Sequence, residues 1–283
     1  MNTATLLCSC TDRTGIVATL TNFVAEYGGN IIDLDQHTDN ETEQFFMRLV
    51  WDTGKSALSR EDIPGALAIV AKKFPEMKWS VSFGTPLPRV AVLVSRTPHC
   101  LADLLLRHQM GELNCEMALV MGNHDDLREL AEHFRVPFHL VPVERENKEE
   151  AERRQMEILA RHDVDLVVLA RYMQILGPGF VDAWQGRIIN IHHSFLPAFV
   201  GAKPYHQAKA RGVKIIGATA HYVTAELDQG PIICQDVTRV SHRDEVDDLV
   251  RKGRDIERRV LGTAVRLHLE RRVLVNGNRT VVF

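Results

Sequence analysis

The apolar positions of this chain follow two rhythms, and a proline-rich stretch separates them. Ala4 to Cys10 reads as a short apolar strand. A helix is expected from Thr14, because Ile16, Val17, Leu20, Phe23 and Val24 recur at helical spacing and make one buried face. Gly28-Gly29 stops it, and Ile31 to His37 and Glu43 to Trp51 follow as strands around the polar turn Asp39-Asn40-Glu41. A helix over Ile63 to Phe74 and a strand over Lys78 to Phe83 complete a β-α-β-β-α-β order, a ferredoxin-like unit. Gly84-Thr85-Pro86-Leu87-Pro88 is a stiff connector. A first domain is therefore expected over 1–84, a linker over 85–88 and a second domain over 89–283.

Beyond the connector, strands and helices alternate. Val90 to Val94, Glu116 to Met121, Phe138 to Val141 and Leu166 to Leu169 are short apolar runs. Helical patterns over Leu101 to His108, Leu127 to Phe134 and Glu149 to Arg161 separate them. That order predicts a Rossmann-like α/β domain, a mostly parallel sheet with helices on both faces. Such sheets take ligands outside the carboxyl ends of their strands. The strand expected over Arg187 to Asn190 therefore delivers Asn190 to a binding rim. A long helix over Asp244 to Leu269, capped by Ser241, carries Val246, Leu249, Val250, Ile256, Val260 and Leu267 on one stripe. Val273 to Phe283, centred on Asn276-Gly277, reads as a closing hairpin.

Composition adds exclusions more than assignments. The chain has 283 residues, 45% hydrophobic and 25% charged, which suits a soluble protein of two domains. A formal net charge of -3 offers no field to recruit nucleic acid or an anionic membrane surface. The basic run Arg251-Lys252-Gly253-Arg254 is interleaved with acids and reads as a solvated helix face. Cys8, Cys10, Cys100, Cys115 and Cys234 form no C-x-x-C pair, as expected of reduced, mostly buried thiols in a cytoplasmic protein. Neither a signal peptide nor an apolar run of the roughly 20 residues needed to span a membrane is apparent.

The candidate chemistry is concentrated in Asn190-Ile191-His192-His193-Ser194-Phe195-Leu196-Pro197 and Leu227-Asp228-Gln229-Gly230-Pro231-Ile232. Between them lie Gly201-Ala202-Lys203-Pro204 and Gly217-Ala218-Thr219-Ala220-His221-Tyr222-Val223. An amide, an imidazole and a carboxylate at a strand rim can run acyl chemistry without a covalent nucleophile. The amide donates to a developing oxyanion, the imidazole donates or shuttles a proton, and the carboxylate orients it and deprotonates the attacking group. Each residue alone has a plainer reading as a turn or a satisfied polar group; only the ordered set is specific. His192 and His193 would face opposite sides of an extended strand, and no H-E-x-x-H or C-x-x-C grouping occurs, so no metal is expected. Without G-x-G-x-x-G or G-x-x-x-x-G-K, no nucleotide cofactor is expected either.

The ordered set resembles the family of formyltransferases that use 10-formyltetrahydrofolate, whose pattern Asn-x-His-x-Ser-x-Leu-Pro followed by Asp-x-Gly-Pro-Ile is present in full. The resemblance covers roughly Pro88 to the C-terminus. It implies catalytic roles for Asn190, His192 and Asp228, and a folate loop at Arg171, Tyr172, Met173, Gln174, Ile175 and Leu176. It also places His221, Val223, Gly230, His193 and Lys203 at the substrate. The loop Ser95-Arg96-Thr97-Pro98-His99-Cys100 departs from the glycine-containing phosphate loop of the transferases for ribonucleotides. Ser95 to Leu101 and His192 to Pro197 are instead similar to the hydrolytic, deformylase branch, in which water takes the formyl group. Folate is then the substrate, and no separate cofactor is implied.

The first domain, through Asp12-Arg13-Thr14-Gly15-Ile16-Val17-Ala18, resembles an ACT domain, a regulatory module that commonly binds amino acids. Asp12, Arg13, Thr14, Gly15, Gly29 and Asn30 are the residues expected to frame an effector, with methionine and glycine among the candidates by resemblance. ACT domains pair side by side, so a homo-oligomer is expected. Together these resemblances imply hydrolysis of 10-formyltetrahydrofolate to tetrahydrofolate and formate, balancing the one-carbon folate pool and supplying formate for purine synthesis. The alternatives are transfer to a small amine acceptor and a folate-binding protein without catalysis. The wall that keeps other acceptors out is expected around His193, Lys203 and Tyr205.

Overall fold

Every second residue of the first strand, β1 (Thr3–Thr11), is buried, which is the period of a pleated strand with one face on a core. The computed structural model describes residues 2–197 and 204–283. It separates into two compact units. One runs to Leu87 and includes Arg271–Asn276 and Val281–Phe283; the other comprises Pro88–Glu270 with Gly277–Thr280.

In the first unit, α1 (Ile16–Glu26) sets Ile16, Leu20, Phe23 and Val24 on the core. It opens at Ile16 rather than Thr14, because Gly15 occupies the N-cap with a left-handed backbone. β2 (Asn30–Asp39) and β3 (Gln44–Asp52) pair across a turn in which the Glu41 backbone N–H donates to Asp39 Oδ1 at 2.9 Å. α2 (Ile63–Ala71) and β4 (Lys78–Phe83) complete the ferredoxin-like order, in an antiparallel sheet arranged β2-β3-β1-β4.

The second unit is built on β5 (Arg89–Val94), α3 (His99–Gln109), β6 (Glu116–Gly122), α4 (Arg128–His133), β7 (Phe138–Leu140), α5 (Lys148–Arg161) and β8 (Leu166–Ala170). After these come α6 (Pro178–Ala183), β9 (Ile188–His192), α7 (Pro204–Arg211), β10 (Ile215–Tyr222), β11 (Ile232–Arg239) and α8 (Val246–Leu269). The sheet is seven-stranded, in the order β11-β10-β9-β8-β5-β6-β7. β5 to β9 are mutually parallel, whereas β10 and β11 add antiparallel at one edge. Alternating strand and helix signals did not reveal that edge, since an antiparallel hairpin needs no helix between its strands. The chain winds outward from β5 in both directions, so a crevice opens at the carboxyl ends of β5 and β8, the place where such sheets take ligands.

α8 starts at a capping box, Glu245 with Asp248, and not at Ser241. Ser241 makes a tight turn ahead of the helix, accepting from the Arg243 backbone N–H at 3.2 Å. The buried stripe of α8 includes Leu249, Gly253, Ile256, Val260 and Leu261, and also the carboxylate of Glu257. Finally β12 (Val273–Asn276) and β13 (Arg279–Val282) form the expected hairpin. Leu274 and Phe283 cluster with Phe46, so part of this C-terminal segment belongs to the first unit, in a small cluster separate from its main core. No described helix is long and apolar enough to cross a membrane. All five cysteines are unpaired, and all but Cys234 are buried.

Candidate active site

A strand's period of two puts Asn190 and His192 on one face of β9. β10 runs antiparallel beside it with His221 directly opposite Asn190 and Thr219 opposite His192. Asn190, His192 and His221 open onto a cavity of about 410 Å³ at the carboxyl ends of β8 and β9. The cavity brings together the expected residues Arg171, Tyr172, Met173, Gln174, Ile175, Leu176, Asn190, His192, His193, His221, Val223 and Asp228. Met173 and Ile175 are 58% and 59% exposed, an apolar lining open to solvent. Tyr172 is buried instead, and its hydroxyl accepts from Gln155 Nε2 at 2.7 Å. Lys203 lies outside the described residues.

Asp228 reaches the site through a tight loop after β10. Its own φ is 55°, a left-handed conformation that aspartate tolerates better than most residues. Gly230 does not line the cavity but closes this loop: a Cβ there would lie 1.8 Å from the Tyr222 carbonyl oxygen, so no other residue fits. The loop sets Asp228 Oδ2 3.2 Å from His192 Nδ1 and Oδ1 3.5 Å from His221 Nε2. His221 Nδ1 donates to the Tyr222 carbonyl at 2.9 Å, and its Nε2 lies 3.3 Å from the Asn190 amide nitrogen. His192 Nε2 is buried with no hydrogen-bond partner among the described residues.

Hydrogen bonding by His192, then His221, holds the Asp228 carboxyl well below the usual carboxylate range despite its partial burial. His193 follows the end of β9, so the chain is no longer extended there; both His192 and His193 line the cavity, with ring centroids 5.2 Å apart. Burial, reinforced by the nearby positive charge of Arg171, pushes the His193 imidazole down to about 4. Between its ordinary 6.5 and about 4, the unfolded chain takes up a proton that the folded protein refuses. Stability therefore falls as pH drops through that window, by up to about 1.4 kcal/mol per pH unit, and the loss stops once both states are protonated. His193→Asn should flatten this slope in denaturant titrations at about pH 7 and about pH 5. A slope equal to wild type would show that His193 is not held neutral.

Several residues that matter here gave no motif. Thr219 Oγ1 donates to the Ser194 carbonyl at 2.9 Å and accepts from the Leu196 backbone N–H at 3.0 Å and from Gln235 Nε2 at 2.9 Å. It thereby pins the turn that follows His193. Glu257 is 1% exposed; its Oε1 accepts from the Tyr205 hydroxyl at 2.7 Å and its Oε2 lies 2.8 Å from His99 Nε2. Burial pushes its carboxyl up, but His99, Arg171 and Tyr205 outweigh that and hold it below its ordinary value. The detectable signal was an acid on the apolar stripe of α8. Donor atoms of His99, Cys100 and Glu257 lie within 4.8 Å of one another. Arg171 Nε stands 3.5 Å from the same carboxylate and burial drives the Cys100 thiol up, so the surroundings oppose a metal cation.

In the first unit, Asp12, Arg13 and Gly15 line a separate depression with Ile16, Gln36, Thr38 and Phe45. Thr14, Gly29 and Asn30 are not part of it; Gly29 packs against Val24 and Trp51. The sequence pattern thus marked one rim of the depression, while Gln36 and Thr38 come from β2 and carried no local signal.

Comparison with known proteins agrees with this geometry. Residues 88–265 match the formyl transferase family and residues 4–53 match the ACT domain family. The fold and site therefore define an ACT domain joined to a formyl transferase domain. A formyltetrahydrofolate deformylase of Synechocystis sp. is 54% identical, with 99% of this chain and 98% of that protein covered. One from Bacillus subtilis is 50% identical over 98% of this chain and 93% of its own length. The crystal structure of a formyltetrahydrofolate deformylase from Pseudomonas syringae pv. tomato superposes with a TM-score of 0.97 at 49% identity, covering 100% of this chain and 95% of that one. Glycinamide ribonucleotide transformylase 1 from Symbiobacterium toebii aligns with only 71% of this chain and 96% of its own, at 34% identity and a TM-score of 0.67. The chain belongs to the formyltetrahydrofolate deformylase family.

Proposed function

We infer that the protein hydrolyses 10-formyltetrahydrofolate to tetrahydrofolate and formate. The observation that carries this reading is the convergence of Asn190, His192 and Asp228 on one cavity in a chain whose full-length relatives are named for that reaction. The apolar wall of Met173, Ile175 and Leu176 suits a flat heteroaromatic ring.

Asp228 holds His192 through Nδ1, leaving Nε2 for the substrate. When His192 carries both ring protons, Nε2–H and the Asn190 amide donate to the oxygen of the formyl group as it becomes an oxyanion. Water attacks the formyl carbon and gives its proton to Asp228. The bond to N10 then breaks with its electron pair going to N10, which takes the proton of His192. A carboxylate held as low as Asp228 is a weak base while the cavity is open to solvent. Folate covering the cavity removes water from it and raises its basicity for the attack step.

The reading is tested by supplying 10-formyltetrahydrofolate with no amine present. Formate and tetrahydrofolate in equal amounts are expected. Turnover that begins only when an amine is added would assign transfer instead.

The products return tetrahydrofolate to the one-carbon pool and make formate available for purine synthesis. In the first unit, the depression lined by Asp12, Arg13 and Gly15 offers a carboxylate and a guanidinium, the charges that complement an amino acid's two termini. It is the proposed effector site, in a cytoplasmic homo-oligomer.

A further inference from the structure

We propose that Arg171, anchored by Glu257, determines specificity by reserving the acceptor side of the catalytic cavity for water. The inference rests on the hydrolytic reading above. Arg171 follows β8 directly and has a φ of 62°. A non-glycine side chain is strained in that left-handed region, so the position would favour glycine unless the side chain has a task. Arg171 lines the catalytic cavity with a side chain only 16% exposed; its Nε and Nη1 are buried without a hydrogen bond among the described residues, and Nε lies 3.5 Å from the Glu257 carboxylate as an ion pair.

Glu257 is itself fixed before it holds Arg171. Tyr205 on α7 donates to one oxygen at 2.7 Å, and His99 at the start of α3 sits 2.8 Å from the other. Gly253, one helical turn earlier on α8, makes room for this arrangement: a Cβ there would fall 2.0 Å from the Tyr205 hydroxyl oxygen. His193 continues the wall between the rings of His192 and Tyr205, at centroid distances of 5.2 and 6.2 Å. Arg171 and His99 enter the cluster from the carboxyl ends of β8 and β5, where an open α/β sheet has its ligand crevice. Here the protein's own side chains stand in that crevice. On this proposal their volume narrows the approach of an acceptor larger than water, and the positive charge of Arg171 disfavours a protonated amine.

Opening the wall should let an amine compete. Its nitrogen would form the new bond to the formyl carbon, its surplus proton would pass to Asp228, and the bond to N10 would break with the electron pair and a proton going to N10. Glycinamide is a suitable small probe, and the quantity to measure is the ratio of formylglycinamide to formate above the enzyme-free rate. Arg171→Gly suits the backbone at this position and should fold. Its ratio is expected to rise at least roughly tenfold over wild type, the scale on which pocket contacts discriminate. Glu257→Gln should raise the ratio less, and the double variant should match Arg171→Gly alone, because Glu257 acts through Arg171. A merely structural role would lower both products together and leave the ratio unmoved. A folded Arg171→Gly protein with the wild-type ratio, whether or not formate release falls, overturns the proposal. Wild-type protein that releases no formate without an amine would instead overturn the hydrolytic reading beneath it.

Discussion

Asp228→Asn is expected to slow the hydrolysis of 10-formyltetrahydrofolate by on the order of 10²–10⁴-fold, the range for loss of a positioned proton acceptor. The amide has the shape of the carboxylate and its oxygen can still accept from His192 Nδ1, now at 3.2 Å, so the cavity and the affinity for folate should change little. What disappears is the negative charge beside His192 Nδ1 and the site that takes water's proton. Because hydrogen bonds hold this carboxyl of the free enzyme well below its ordinary range, the wild-type kcat/KM should show no acid limb from Asp228 until pH falls below that range. Turnover and ligand affinity measured side by side decide the matter. A folded Asp228→Asn protein with near-normal turnover would remove Asp228 from the mechanism.

Asn190→Ala should cost roughly 10²–10³ in kcat, the effect of deleting one oxyanion donor in comparable sites. KM should move much less, since the donor acts on an oxygen whose charge develops only in the transition state. The deletion also frees His221 Nε2, which lies 3.3 Å from the Asn190 amide nitrogen. Asn190→Ser, whose hydroxyl can donate but sits farther back, should recover only part of the loss. An effect confined to KM would show that Asn190 binds folate without stabilising the reaction.

The strands that deliver the site were legible because their apolar runs are short and regular, and β4 and β9 fall where the pattern placed them to within two residues. Asn190, His192 and Asp228 were legible because their spacing is a motif. Glu257 was not, since an acid on a helix reads as solvent-facing until the packing of α8 is known. Nor were Thr219 and Gln235, whose hydrogen bonds to the turn at Ser194 and Leu196 join residues far apart in sequence. The cap of α8 was misplaced for a local reason. Ser241 and Glu245 both precede acids, and only the backbone geometry shows which one begins the helix. The long-range partners of a motif depend on tertiary packing, which local periodicity does not encode.

The proposed role of Arg171 accounts for why the acceptor could not be read from the motif alone. In the proposed mechanism, Asn190, His192 and Asp228 polarise a formyl group whichever nucleophile arrives. The nucleophile is chosen by what surrounds them. The most direct measurement is therefore a single turnover of wild-type protein with 10-formyltetrahydrofolate in heavy-oxygen water, with no amine present. The mechanism requires formate carrying one solvent oxygen, formed in step with an equal amount of tetrahydrofolate. A formyl group that stays on folate under these conditions, and leaves only when an amine is supplied, would contradict it.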